Sequence, residues 1–150
     1  MGDDDGAHLA YMRWQIETSE YRERLMAIAQ ASPQYAGTEA RPEVREFVVF
    51  GVGRPTAAMV AMIGEAPSNI HVTWHEAPYS LEELGPEARR LMTEHRTRLN
   101  MAWARHDGTG ITVTTTDAEL LATDDPGKIL GARYPVSVEF GEPATQAMVL

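Results

Sequence analysis

LGPEARRLMTEHRTRLNMAWARH, residues 84–106, carries apolar or ring-bearing side chains at Leu84, Ala88, Leu91, Met92, His95, Leu99, Ala102, Trp103 and His106. Spacings of three and four put such side chains on one face of a helix, so the stretch predicts a long amphipathic helix. Glu87, Arg89, Arg90, Glu94, Arg96, Arg98 and Arg105 would then face water. Upstream, Ser80 with Glu82 and Glu83 offers a cap and an acidic first turn. Pro86 suits a first turn, so the helix is expected to begin near Gly85 and to stop at Asp107-Gly108, with His106 near its carboxy end.

Outward from this segment, the amino-terminal side reads as a second helical region. Met1 to Ala7 is expected as a mobile acidic tail ahead of a single domain spanning 8–150. From His8 to Ala31 helix formers dominate, with Trp14, Tyr21, Leu25, Ile28 and Ala29 on one stripe. Leu9, Met12 and Ile16 make an earlier, rotated stripe, so either one helix buries two faces or two helices meet near Thr18-Ser19. Ser32-Pro33 ends the helix, and Gln34 to Pro42 reads as a loop.

Three strands are then expected in a meander: Glu46–Val52, Thr56–Ile63 and Ile70–Glu76. The middle one is apolar on both alternating faces, as for a covered central strand. Beyond the long helix come a strand at Gly110–Thr116, a possible hairpin arm at Asp117–Asp125, a turn at Asp124–Gly127 and a last strand at Tyr134–Phe140. Ala144–Leu150 is short, uncharged and apolar, with a helical turn, an added strand and a subunit contact as its readings. No internal repeat is evident. The expected architecture is α+β, an antiparallel sheet of about five or six strands with both helices on one face, in the order αβββαβ(β)β. That order, the small size and the acidity resemble type III secretion chaperones and related bacterial chaperone-like domains, a resemblance that implies a protein-binding role.

Composition narrows function by exclusion. The chain has 150 residues, 43% hydrophobic and 23% charged, ordinary for one globular domain with a sizeable core. Without cysteine, disulfides, thiolate metal sites and cysteine nucleophiles are excluded. A net charge of -9 argues against a nucleic-acid partner, which calls for a basic surface. The amino terminus has no basic-then-apolar leader, so a cytoplasmic location is expected.

Two readings of function follow. The first is a small acidic binding module, such as a chaperone, immunity or adaptor protein, that holds another protein or a second copy of itself as a dimer through exposed apolar residues. The second is a cofactor-independent enzyme or small-ligand binder with a pocket between sheet and long helix. Trp74, Tyr79 and Trp103 would line the pocket, and His71, His75, Glu76 and His95 would handle protons. His71 and His75, four apart on a strand, are ~13 Å from each other and cannot share a metal ion unaided. Asp124 and Asp125 lack the spacing of an oxygen-ligand loop, and no serine sits in a nucleophile elbow. No cofactor and no metal site is expected.

Overall fold

The computed structural model describes residues 2–143 and the side chains of residues 6–143. The protein is α+β, and among the described residues, outside which the expected Ala144–Leu150 segment lies, the strands form two three-stranded sheets instead of the expected single sheet. Helix α1 runs Gly2–Gln30, so the stretch expected as a tail continues the helix at Gly2. There follow β1 (Tyr35–Arg41), a 3-10 turn (Pro42–Val44), β2 (Glu46–Gly51), α2 (Ala57–Gly64) and β3 (His71–Glu76). Next come α3 (Leu81–Glu94), β4 (Leu99–Ala104), β5 (Ile111–Thr115), the short helices α4 (Ala118–Ala122) and α5 (Pro126–Leu130), and β6 (Val136–Phe140).

The expected long helix is two elements. Ser80 caps α3 through a capping box with Glu83, and Pro86 sits near its start, as the sequence suggests. The helix stops at Glu94, and Leu99–Ala104 is a strand paired antiparallel to β5. Within β4 the side chains alternate, with Ala102 and Ala104 on the core and Met101 and Trp103 in solvent. That two-residue period, hidden among residues that also fit a helical spacing, is decided by hydrogen bonding to β5.

The meander is also corrected. Thr56–Ile63 is not a strand: Thr56 caps α2, its side chain accepting the Met59 amide, and Met59 and Met62 turn inward on one face. This helix is the crossover that β2 and β3 require, because they pair in parallel with Glu46 opposite His71 and Gly51 opposite Glu76. The segment at 35–41, expected as a loop, is a strand antiparallel to β2. Likewise 117–125 is no hairpin arm, since α4 and α5, capped by Asp117 and Asp125, form the crossover between the parallel strands β5 and β6. Glu65 ends α2. Of the features that carry the resemblance to secretion chaperones, the element order differs here: a helix, not a strand, lies between β2 and β3.

A repeat emerges that the sequence does not show. Each half consists of a helix, an antiparallel hairpin, a helical crossover and a third strand parallel to the second, giving the orders β1-β2-β3 and β4-β5-β6. Even the irregularities correspond: the first strand of each half shifts register near its start, at Tyr35/Gly37 and at Leu99/Met101. Each half has its own core. Trp14, Tyr21, Leu25 and Ala29 of α1 pack with Phe47, Val49, Met59, Met62 and Val72, while Leu84, Ala88 and Leu91 of α3 pack with Leu99, Ile111, Val113, Leu120 and Leu130.

The halves meet at the turn between β4 and β5. Gly108 holds φ +71, and a Cβ there would come within 2.5 Å of the Tyr79 carbonyl oxygen and 2.9 Å of Ala36 Cβ. Only glycine fits both that backbone and that approach. The Gly108 carbonyl accepts the Tyr79 amide at 3.1 Å, which ties the second hairpin to the start of α3.

Candidate interaction surface

The residues expected to form a pocket do not converge. His71, His75 and Glu76 are exposed on β3, and His75 lies edge-on to Phe50 with ring centroids 5.7 Å apart. His95 belongs to the other half: it ends α3, and its ring Nε2–H donates to the Leu130 carbonyl at 2.8 Å. Trp74 packs on the first core and donates its indole N–H to the Gly53 carbonyl, whereas Tyr79 stacks edge-on with Tyr134 in the second. Trp103 is exposed on β4.

His106, expected at a helix end, follows β4 instead and reaches the first sheet. It hydrogen-bonds Glu39 at 3.0 Å and lies edge-on to Phe50, whose centroid is 5.8 Å away. Hydrogen bonds from Arg41 first, then His106, hold the Glu39 carboxyl below its usual range. Three of the five histidines therefore share one sheet face. Among the described residues, however, no group of three His, Asp or Glu side chains is placed to hold a metal ion.

The feature left uncovered by the rest of the fold is the amino-terminal part of α1. From Trp14 onward the helix is tied down: the Trp14 indole N–H donates to the Asn69 carbonyl at 2.9 Å, and Tyr21 donates its hydroxyl to the Met62 carbonyl at 2.6 Å. Burial raises the Tyr21 pKa, as expected for a phenol held in a core. Thr18 Oγ1 donates to the Trp14 carbonyl, and the Arg22 guanidinium sits 5.6 Å from the Trp14 ring centroid. Before Trp14 none of residues 6–13 is buried. The helix thus overhangs its own half, and α3, its counterpart in the repeat, has 14 residues against 29.

Leu9 and Met12 on this overhang and Ile16 just past its base follow one another at helical spacing and are 63%, 42% and 71% exposed. At 3.6 residues per turn their stripe lies roughly 180° around the axis from Trp14 and Tyr21. On the inner side, Ala7, Ala10 and Tyr11 border a groove of about 530 Å³, closed below by Trp14 and opposite by Pro42, Arg45 and Asn69. Arg45 is the one non-glycine residue at positive φ among those described, at φ 55, where its amide closes the 3-10 turn onto the Pro42 carbonyl. Asn69 Oδ1 is buried and has no hydrogen-bond partner among the described residues.

Neither a protein-family model nor a curated protein matches this chain.

The stripe was visible in the sequence as a second, rotated set of apolar positions. The groove was not, because its walls come from residues 7–17, 42–45 and 69, joined only by folding. No helix among the described residues is long and apolar enough to cross a membrane, so the exposed stripe is not part of such a span.

Proposed function

We propose that this protein is a binding module that holds another protein chain, and that the overhanging part of α1 is where it does so. One observation carries this reading: three large apolar side chains, Leu9, Met12 and Ile16, stand in solvent on the face opposite the one that anchors the helix. Leaving such a stripe in water forgoes the burial free energy of each side chain, roughly 1.5–3 kcal/mol apiece when fully covered. A helix that presents apolar anchors three, four and seven residues apart is a common protein-recognition device. The surface that carries it belongs to an acidic chain of net charge -9, which supports a protein partner over a nucleic acid.

The reading is tested by changing the stripe without changing the helix. Leu9→Gln, Met12→Gln and Ile16→Gln together keep good helix formers at exposed positions, so the circular dichroism spectrum is expected to match that of the parent. Tagged parent and triple variant are compared in quantitative capture from extracts of the source cells. A protein, copies of this chain included, retained at least tenfold better by the parent is the expected result. Equal retention by a correctly folded variant contradicts the reading.

A further inference from the structure

We propose that the partner of the α1 overhang is a second copy of this chain, docked by reciprocal exchange, with each overhang lying in the groove of the other copy. The inference rests on the protein-binding reading and names its partner.

The overhang is apolar on opposite faces, with Leu9, Met12 and Ile16 outside and Ala7, Ala10 and Tyr11 inside. A partner touching one face would leave apolar side chains of the other in water. Reciprocal exchange covers both at once. Each overhang then sits between the partner's overhang and the corner made by the partner's 3-10 turn. Alanine side chains at 7 and 10 leave the room that two helices need for close approach. The outer stripe then meets Pro42 on the groove wall, beside Val44, which is 63% exposed.

Charge agrees. The groove rim carries Arg13 and Arg45 with Glu17 and Glu43, a neutral balance in a chain of net charge -9. An interface between identical copies must be self-complementary, and a rim with both signs lets each cation meet a partner's carboxylate, whereas an all-acidic rim would repel its own copy.

Sedimentation equilibrium of the full chain at tens of micromolar is expected to give twice the 16.6 kDa chain mass. Ala10→Glu, at an exposed helix position, is expected to keep the far-UV spectrum and weaken the dimer at least tenfold. Because the chain has no cysteine, Ala10→Cys introduces a single thiol, and mild oxidation is expected to yield covalent dimer faster than for Ala122→Cys on α4. A single-chain mass for the parent, an unaltered dimer in Ala10→Glu, or equal cross-linking of the two cysteine variants overturns the inference. If the parent is monomeric yet the triple glutamine variant still loses a captured protein of another sequence, this inference falls and the binding reading stands. If capture is also unchanged, both fall.

Discussion

Glu87 shows how single residues hold the second half together. It lies on the buried side of α3, 4% exposed, and forms a two-pronged pair with Arg90 at 2.7 and 2.8 Å. It also accepts the Arg133 amide at 2.7 Å, tying α3 to the loop before β6. The Arg90 hydrogen bonds, then the Arg133 amide, outweigh burial and hold its carboxyl below the usual range. A carboxyl depressed in the folded state stabilises above its unfolded pKa of about 4.3, and that stability is lost as pH falls through the lower folded value. Glu87→Gln is therefore expected to cost roughly 1–2 kcal/mol at neutral pH, with the gap to the parent narrowing between about pH 5 and pH 3 in urea titrations. A gap independent of pH contradicts this assignment. The histidine at 95, read from the sequence as a pocket group, has the same kind of structural task through its bond to the Leu130 carbonyl. Nothing in its spacing distinguishes the two roles, because the partner carbonyl lies 35 residues away.

Among the elements, α1 and α3 were legible because cap, proline and apolar spacing agreed over many residues. Ser80 with Glu83 and Pro86 place the start of α3, and Ser32-Pro33 marks the end of α1. The failures share a cause. β1 has almost no β-branched residues, α2 is apolar all along, and 99–104 fits both periods, so in each case tertiary pairing makes the choice. For α2 the deciding sign was local but slight: Thr56 ahead of a run rich in alanine and methionine. Thr56→Ala, which removes the acceptor for the Met59 amide, is expected to lower stability by about 1 kcal/mol in denaturant titration, whereas a strand there would tolerate it. Likewise the overhang of α1 was half legible. Periodicity revealed that Leu9, Met12 and Ile16 share a face but not whether anything in the same chain covers it.

At the scale of the molecule, the protein is one topology used twice and joined through the β4–β5 turn and the packing of α3 on β1. The repeat went unseen because corresponding elements share pairing and not residue types: Ala57–Gly64 and the pair α4–α5 do the same job with unrelated sequences. The junction predicts coupling between the halves. Gly108→Ala strains a left-handed backbone and drives a Cβ against Tyr79 and Ala36, so it is expected to destabilise by about 2 kcal/mol or more. Thermal unfolding of that variant should broaden as the halves separate, while the parent unfolds in one transition; equal sharpness in the two would contradict this role for the junction.

The repeat also isolates what is extra, since the part of α1 before Trp14 has no counterpart in the second half and none of its residues 6–13 is buried in the first. Hydrogen exchange along α1, measured at increasing protein concentration, tests that surplus directly. Amides from His8 to Ile16 are expected to slow as concentration rises, while those from Tyr21 to Gln30, already anchored in the core, keep their rates. Exchange in the His8–Ile16 segment that stays fast at every concentration would contradict it.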